Sequence, residues 1–332
     1  MKVYNKQSDK VLCEELQERL KEYRLKRNFD ADKYITNKCR YLNEYMKKCS
    51  LSGCVVAVSG GIDSAVVLAI VDKASQEKNS PIKKIIPMLL PVLDSVGVTN
   101  QACATNRGRE LCQSLNLKPL VIDLSKINKI IREEVENAIG IEGQAWAIGQ
   151  LAPYSRTPIL YYATSLLNQE GYPSIICGTT NFDEGGYLGY VGKASDGMVD
   201  LQIISDLHKS EVYKVATKLK LPKSIIDVIP SGDMYDSRID EEVFGASYDF
   251  VELYLYFLIM SKVEQKSFKE NLSPKALKQF DFFAENLENL HRYNRHKYIS
   301  KSPAIHLDLW NSEVRGGWEN HYKTTKEFME EK

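Results

Sequence analysis

Two short polar segments carry residue types suited to binding a nucleotide. The first, residues 59–64 (SGGIDS), combines two glycines, two serine hydroxyls and the carboxylate of Asp63. Glycine allows successive backbone N–H groups to curl around an anion, and serine hydroxyls add further donors. Asp63 repels a bare phosphate but attracts one through a bridging magnesium ion. The segment therefore predicts a site for the phosphates of a Mg²⁺-bound nucleotide; taken alone, it could also be a tight turn.

The second segment, residues 178–184 (GTTNFDE), ends in the carboxylate of Glu184. If a strand precedes this segment, Glu184 lies at the same edge of a sheet as Asp63. Glu184 could then supply a second ligand to the same magnesium ion. A solvated acidic loop is the alternative interpretation of this segment by itself.

Other common motifs do not explain these residues. No G-K-[ST] follows the glycines of residues 59–64, which excludes the P-loop of nucleoside triphosphatases, and the segment is not a dinucleotide G-x-G-x-x-G motif. Seven cysteines without a C-x-x-C pair argue against both a zinc site and a disulfide framework. They indicate a reducing, cytoplasmic location.

The remaining pattern predicts how the two segments are placed. Apolar runs alternate with helical patterns after residue 50, which is typical of a doubly wound, mostly parallel sheet with helices on both faces. Strands are predicted at residues 54–58, 84–90, 120–124 and 174–178, and helices at 65–71, 100–115, 125–138, 158–167 and 210–219. Each polar segment then directly follows a strand, where open α/β sheets bind ligands.

The chain divides into two parts in this prediction. Residues 1–50 form an N-terminal helical segment, with Asp30 as the N-cap of its second helix. Residues 51–332 form the α/β unit, which ends in a helical C-terminal addition. No low-complexity linker separates the parts, so we expect them to form a single compact unit.

The overall charge argues against some partners. The 332 residues include 44 Lys+Arg and 44 Asp+Glu, so the net charge is zero. Binding to nucleic acid or to a membrane surface is therefore not expected. No apolar run approaches the roughly 20 residues of a membrane helix, and the first residues lack the apolar stretch of a signal peptide.

The ordered set of motifs resembles the NAD synthetase family, in particular its ammonia-dependent type. These enzymes are N-type ATP pyrophosphatases with an adenine-nucleotide α-hydrolase-like fold. The resemblance spans residues 30–310 and comprises SGGIDS (59–64), GTTNFDE (178–184), LGY (188–190), DLHK (206–209), IPSGDM (229–234), DEEVFG (240–245), NRHK (294–297) and SPA (302–304).

The resemblance implies a ligase that forms a C–N bond in two steps. ATP, as co-substrate, adenylates the nicotinate carboxylate of deamido-NAD and releases pyrophosphate. Ammonia then attacks the acyl-adenylate, which gives NAD and AMP. A carboxylate is a poor electrophile until AMP is installed as a leaving group, and Mg²⁺ stabilises the charge of the departing pyrophosphate.

The resemblance also implies roles for individual residues. The residues implied in catalysis are Asp63, Glu184 and Lys209, of which Asp63 and Glu184 also bind Mg²⁺. The residues implied in ATP binding are Ser59, Gly60, Gly61, Asp63, Ser64, Thr179, Lys209 and Ser231. The residues implied in binding deamido-NAD are Arg156, Lys193, Asp200, His296 and Lys297. We assign no role to His208.

The chain departs from the family within residues 150–156 (QLAPYSR). Tyr154 stands where the family commonly has a substrate-binding arginine, and Leu89 where many bacterial members have another. A phenol cannot replace the bidentate contact of a guanidinium with phosphate or carboxylate. Pro153 lacks an N–H, which predicts that the helix here begins near residues 157–158. The alternative function is a divergent relative that adenylates and amidates a different carboxylate.

The nitrogen source and the assembly are further expectations from the resemblance. The 58 residues before SGGIDS are too few for a glutaminase domain, so ammonia is expected either free or from a separate protein. A homodimer is expected because helices after the third strand pair across a two-fold axis in the family, and the apolar residues 157–167 are compatible with such a contact. The acidic residues 231–242 are either a solvated loop or a flap that closes over ATP.

Overall fold

The computed structural model describes residues 10–93, 101–232, 238–294 and 297, and the backbone of residues 305–306. Its central element is a parallel sheet. The strands are β1 (Gly53–Ala57), β2 (Lys84–Leu89), β3 (Leu120–Val121), β4 (Ser174–Gly178), β5 (Leu201–Gln202) and β6 (Ile305–His306). Their order is β3-β2-β1-β4-β5-β6, and every neighbouring pair is parallel. The predicted mostly parallel α/β fold is confirmed.

Helices cover both faces of this sheet and extend beyond it. The α-helices of the described chain are α1 (Glu14–Arg27), α2 (Ala31–Lys48), α3 (Ile62–Ser75), α4 (Gln101–Ser114), α5 (Ser125–Ile139), α6 (Ala145–Gln169), α7 (Lys209–Lys218), α8 (Lys223–Ile226), α9 (Asp240–Phe244), α10 (Tyr248–Ile259), α11 (Lys262–Glu270) and α12 (Pro274–Tyr293). A π-helix, Phe182–Leu188, follows β4. In the part of the chain that the structure describes, no helix is both long and apolar enough to cross a membrane.

The strand order reverses between β1 and β4. The chain places β2 and β3 on one side of β1, and then β4, β5 and β6 on the other. Such a switch point leaves a crevice at the carboxyl ends of the strands, where doubly wound sheets bind ligands. Val56 pairs with Cys177, so β1 and β4 end at the same level. Residues 59–64 and 178–184 consequently begin side by side at this crevice.

The central strands are buried because helices pack against each face. On one face, Val56 of β1 shares an apolar cluster with Leu68 of α3 and Val212 of α7. On the other face, Val55 packs in a cluster with Leu160 of α6. This two-sided burial explains why the strands read as continuous apolar runs rather than as alternating patterns.

Helix α6 begins earlier than its prolines predict. The expected start was near residues 157–158, but the helix runs from Ala145 to Gln169 with Pro153 and Pro158 inside it. Each internal proline removes a backbone hydrogen bond and disfavours the helix. Packing against the sheet compensates for this cost, because Ala152 is buried in the same cluster as β1 and β4. The prediction of a late start was therefore wrong: tertiary contacts outweigh local propensity here.

A second apolar core holds the helical additions around the π-helix. Leu16 of α1, Phe250 of α10 and Phe280 of α12 are fully buried in it, together with Leu188 of the π-helix. Asp30 caps α2 as predicted, with its side chain accepting from the backbone N–H of Lys33. The terminal helices therefore pack against the π-helix, which follows the central strand β4.

Buried ion pairs join the N-terminal helices to the first turn of α7 and to the residues just before it. The guanidinium of Arg27, in α1, pairs with the Glu211 carboxylate, and its Nη2 lies 2.8 Å from Glu211 Oε2. Lys38, in α2, places its Nζ 2.9 Å from Asp206 Oδ2, and both side chains are fully buried. Residues 206–211 are thus held by two charges from the N-terminal helices.

We predict that Arg27→Met lowers the free energy of unfolding by about 3–5 kcal/mol, because it leaves the Glu211 carboxylate buried without its guanidinium. Urea denaturation followed by circular dichroism measures this change. The matched control is Arg19→Met in the same helix, whose pair with Glu22 is exposed and should contribute less than about 1 kcal/mol. Equal effects of the two substitutions would contradict the prediction.

Candidate functional site

The loop of residues 59–64 has a preorganised backbone. Gly60 has φ of +79°, and a Cβ at this position would lie 2.2 Å from the carbonyl oxygen of Ala104. Gly61 is the N-cap of α3. The Ser64 hydroxyl accepts from the backbone N–H of Ser59 at 3.2 Å and donates to the Gly61 carbonyl at 3.1 Å. The loop therefore presents the positive N-terminal end of α3 to the crevice, as an anion site requires.

The second segment forms the π-helix and its cap. The Asn181 side chain accepts from the backbone N–H of Glu184 at 3.0 Å, and its Nδ2 donates to Asp63 Oδ1 at 2.9 Å. One amide thus joins the start of the π-helix to the first turn of α3. A π-helix is an uncommon element that occurs frequently at functional sites.

Lys209 lies between the two predicted carboxylates. Its Nζ is 2.6 Å from Asp63 Oδ2 and 2.9 Å from Glu184 Oε1. The lysine side chain is only 2% exposed, so these carboxylates provide the charge compensation that a buried ammonium needs. The structure therefore brings the three residues implied in catalysis into direct contact.

The three groups shift one another's pKa values. Burial raises the pKa of Asp63, and the nearby Glu184 charge adds to this effect. Burial also acts to raise the pKa of Glu184, but the Lys209 ammonium and further hydrogen bonds outweigh it and lower that pKa. For Lys209, burial acts to lower the pKa, whereas the two carboxylates raise it well above the ordinary value. Lys209 therefore stays charged.

Tyr248 and Asp240 complete the surroundings of Glu184. The Tyr248 hydroxyl lies 2.7 Å from Glu184 Oε1 and 2.7 Å from Asp240 Oδ2. The Lys209 Nζ lies 4.9 Å from the centre of the Tyr248 ring, as in a cation–π contact. Sequence reasoning missed Tyr248, because nothing near it in the sequence marks a site.

Two carboxyls of the acidic segment are buried. Asp240 is 4% exposed and Glu241 is 3% exposed, and burial raises their pKa values to about 6 and about 7. The solvated-loop interpretation is therefore wrong for these two carboxyls, which sit at the start of α9. Residues 233–237 of the same segment lie outside the described residues.

A further buried group supports Lys209. Asp183 accepts from the Lys209 backbone N–H at 2.7 Å and lies 2.6 Å from His208 Nδ1. Burial raises the pKa of Asp183 to about 7 and lowers that of His208 to about 4. Neither residue was predicted to act, and His208 was expected to have no role. Only the fold shows that His208 is fully buried beside Lys209 and in contact with Asp183.

The remaining ATP-contact predictions lie at the rim of the crevice. Thr179 is half-buried directly after β4, and Ser231 is exposed. Ser59 is exposed and its hydroxyl lies 3.0 Å from the Ser64 hydroxyl. Their roles stay predictions.

The predicted acid-binding residues are spread over several elements. The Arg156 Nε donates to the Leu90 carbonyl at 3.1 Å, and Asp200 Oδ2 accepts from the Ile176 N–H at 2.7 Å. Lys193 is exposed. The Lys297 Nζ donates to the carbonyl of Gly189, the C-cap of the π-helix, at 2.8 Å. His296 lies outside the described residues. Substrate contacts by these residues stay predictions.

The carboxylates at the crevice fit one kind of metal better than others. No cluster of three or more His, Cys, Asp or Glu side chains able to hold a metal ion occurs among the described residues. Mg²⁺ does not require one, because it commonly uses one or two carboxylates and completes its shell with phosphate oxygens and water. Asp63 and Glu184, which share one ammonium, suit such a shared site.

The fold and the site define a class: an α/β protein with a glycine-containing loop at the switch point of a parallel sheet and a lysine and two carboxylates beside that loop. The chain belongs to the NAD synthase family, whose model matches residues 34–300. It is 32% identical over 215 residues to the NH3-dependent NAD⁺ synthetase of Carboxydothermus hydrogenoformans, covering 65% of this chain and 81% of that protein. Its identity to the NH3-dependent NAD⁺ synthetase of Alkaliphilus oremlandii is 28% over 283 residues, 83% of this chain and 98% of that one.

Solved structures share the fold. The NMN synthetase of Francisella tularensis superposes with a TM-score of 0.60 at 24% identity, covering 79% of this chain and 96% of that chain. The NH3-dependent NAD synthetase of Campylobacter jejuni, in complex with a nitrate ion, gives a TM-score of 0.59 at 23% identity, covering 81% and 96%. At these identities the likeness concerns the fold alone.

We predict that Gly60→Ala reduces turnover with ATP by more than 10-fold, because the positive φ and the approach to Ala104 leave no room for a side chain. Gly61→Ala is the matched control: its φ is −94°, and a Cβ there would lie 3.4 Å from the Ser59 hydroxyl. Steady-state kinetics and thermal denaturation of both variants test this. A Gly61 variant as impaired as the Gly60 variant would contradict it.

Proposed function

We propose that this protein catalyses the ATP-dependent amidation of deamido-NAD to NAD, with ammonia as the nitrogen donor and with AMP and pyrophosphate as products. The observation that carries the proposal is the contact of Lys209 with both Asp63 and Glu184, next to a loop built for an anion. With Mg²⁺ bound to the two carboxylates, the Lys209 ammonium would supply positive charge at the position where pyrophosphate departs. Membership of the NAD synthase family supports the choice of reaction.

In this proposal, the residues of the crevice have different roles in the first step, the adenylation of the acid by ATP. The loop donors of Ser59, Gly60, Gly61 and Ser64 hold the triphosphate, and Thr179 and Ser231 add hydroxyl contacts. The Lys209 ammonium offsets the charge that develops on the leaving pyrophosphate. Because Lys209 stays charged when buried, it requires no proton transfer to act in this way.

Asp63 and Glu184 would hold Mg²⁺ together with the phosphate oxygens. The metal supplies charge screening between the carboxylates and the triphosphate. The Tyr248 hydroxyl and the Asn181 amide, which bind Glu184 and Asp63 respectively, orient the two carboxylates from outside the phosphate site.

Arg156, Lys193, Asp200, His296 and Lys297 are proposed to bind the acid substrate. Two residues favour testing a second substrate. Tyr154 is 39% exposed on α6, at a position where the family commonly has an arginine, and Leu89, at a second such position, is buried. The alternative is amidation of a different carboxylate. Nicotinate mononucleotide is the first alternative to test, because the NMN synthetase of Francisella tularensis shares the fold.

We predict that pyrophosphate release from ATP and Mg²⁺ requires deamido-NAD, and that NAD forms when ammonium is added. An enzyme-coupled pyrophosphate assay followed by chromatography of the products measures both steps. Asp63→Asn should lower kcat by at least about 100-fold, because it removes a carboxylate at the phosphate site. Release that depends on nicotinate mononucleotide instead would support the alternative, and turnover with neither acid would contradict both of these substrates.

The metal proposal has a test that needs no turnover. In the absence of nucleotide, the Lys209 ammonium occupies the space between the two carboxylates and competes with a divalent cation. Lys209→Met should therefore tighten binding of Mn²⁺, used as a probe for Mg²⁺, by about 10-fold or more. Electron paramagnetic resonance of free Mn²⁺ measures the affinity.

The control for this experiment is Lys214→Met, which removes an exposed ammonium from the same helix. It should leave the Mn²⁺ affinity unchanged within about 2-fold. Mn²⁺ affinity that is equal in wild type and in Lys209→Met would contradict the shared site. Circular dichroism confirms that both variants are folded.

We also propose a homodimer that pairs through α5 and α6. Large apolar side chains are exposed on these helices and on the neighbouring edge strand. They are Leu120, Val121, Ile127, Ile130, Val135, Ile139, Trp146, Tyr161, Tyr162 and Leu166. An exposed apolar surface of this extent is typical of a contact between subunits.

We predict that Ile130→Glu, placed on a residue 49% exposed in α5, shifts the protein from dimer to monomer. A buried carboxylate at an apolar contact costs more than the contact gains. Sedimentation velocity measures the shift. Val263→Glu, on a residue 79% exposed in α11, is the control and should leave the assembly unchanged. A monomeric wild type would contradict the dimer.

The compartment and the ammonia supply complete the proposal. All seven cysteines are free thiols, which suits a reducing compartment such as the cytoplasm. Ammonia reaches the acyl-adenylate either from solution or from a separate protein that releases it.

A further inference from the structure

One buried carboxylate connects the two catalytic segments. Asp183 directly precedes Glu184 in the π-helix and is fully buried. Its Oδ2 accepts from the backbone N–H of Lys209 at 2.7 Å, and its Oδ1 lies 2.6 Å from His208 Nδ1. The same short segment therefore contacts Lys209 twice: Glu184 binds its ammonium, and Asp183 binds its backbone.

His208 continues this chain of contacts to the N-terminal helix. Its Nε2 lies 2.9 Å from the Tyr23 hydroxyl of α1, and both side chains are buried. The imidazole is also enclosed by the rings of Tyr23 and Phe182. Burial lowers the pKa of His208 to about 4, so the ring is neutral and carries one N–H.

The partners fix which nitrogen carries that proton. Above its pKa of about 7, Asp183 is ionised and accepts from both the Lys209 N–H and His208 Nδ1, so His208 accepts the Tyr23 hydroxyl at Nε2. Tyr23, His208 and Asp183 thus form a directional chain of hydrogen bonds that ends on the backbone of Lys209.

Helix α7 has a second anchor besides this chain, which binds its first residue. The backbone N–H of His208 donates to Glu211 Oε2 at 3.0 Å, which caps the helix. Glu211 is in turn paired with Arg27. The helix therefore has its own anchor, and Asp183 acts on the residue that carries the ammonium.

We propose that Asp183 and His208 are positioning residues, and that Tyr23 of α1 orients them so that the Lys209 ammonium lies between Asp63 and Glu184. The proposal rests on the proposed role of Lys209 at the triphosphate. Tyr23 lies before residue 34, where the match to the family begins, so the N-terminal helix contributes to the site from outside the matched region. A displacement of about 1 Å at a reacting group commonly costs about 100-fold in rate.

The decisive variant is Asp183→Asn. An asparagine keeps one oxygen for the Lys209 N–H, but it then presents its NH₂ to His208 Nδ1, which must become the acceptor. The His208 proton therefore moves to Nε2, which donates to the Tyr23 oxygen. The expected spectroscopic result is an Nδ1–H tautomer in wild type and an Nε2–H tautomer in Asp183→Asn, read from the ¹⁵N shifts of the labelled imidazole and assigned with His208→Gln.

The kinetic result separates positioning from folding. Asp183→Ala, which removes both acceptor oxygens, should lower kcat by about 100-fold, and Asp183→Asn and Tyr23→Phe, which change only the proton arrangement, by about 5-fold, while the KM values for ATP and for the acid stay within about 3-fold. The control is Tyr254→Phe, which removes a buried hydroxyl that binds Glu288 between α10 and α12. It should match Tyr23→Phe in thermal stability and leave kcat unchanged.

The outcomes distinguish the inference from the proposed function. Wild-type protein that does not turn over deamido-NAD contradicts the proposed function, while the tautomer of His208 still tests the inference. An Nε2–H tautomer in wild type, or unchanged kcat in a folded Asp183→Asn variant, would overturn the positioning role. A Tyr23→Phe variant that loses stability but not kcat, as Tyr254→Phe is expected to do, would remove α1 from the site.

Discussion

The buried ammonium of Lys209 is the interaction on which the site depends. A charged lysine that is 2% exposed is stable only if partners replace the water that it loses. Asp63 and Glu184 do so, and these three residues come from α3, the π-helix and α7. Any change in the relative position of those elements separates charges in a medium of low dielectric constant. The fold around Lys209 is consequently constrained more tightly than the sheet alone requires.

The sheet and the terminal helices together fix the relative positions of α3, the π-helix and α7. The reversal of strand order at β1 and β4 brings the starts of α3 and the π-helix together, because both follow strands that end at the same level. Helix α7 begins after β5 and packs against the sheet through Val212. The N-terminal helices fix its first turn through the charges of Arg27 and Lys38, which bind Glu211 and Asp206 on either side of Lys209. The N-terminal helical segment, which the sequence presents as an addition to the α/β unit, therefore helps to hold Lys209 in place.

The sequence predicts the parts of this arrangement that depend on local pattern. The apolar runs at residues 54–58 and 174–178 predict β1 and β4, and the motif resemblance selects Asp63, Glu184 and Lys209, which the structure brings together. It cannot predict partners that meet only in the fold: Tyr248 lies 64 residues from Glu184 along the chain. The two-residue strand β5 offers too short a pattern to detect. In α6, the prolines indicate a late start, but packing against the sheet overrides them.

The same reasoning explains why His208 was assigned no role. A histidine in a helical segment usually serves as a packed or solvated group, and the adjacent Lys209 marks the segment without assigning a role to the imidazole. The proposed role of His208 follows from its contacts with Asp183 of the π-helix and Tyr23 of α1. With Asp183 ionised, both contacts place the single imidazole proton on Nδ1. The Lys209 ammonium, which tolerates little displacement, is thus flanked by the hydrogen-bond chain of Asp183, His208 and Tyr23. This chain reaches helix α1, which lies outside the residues that match the family.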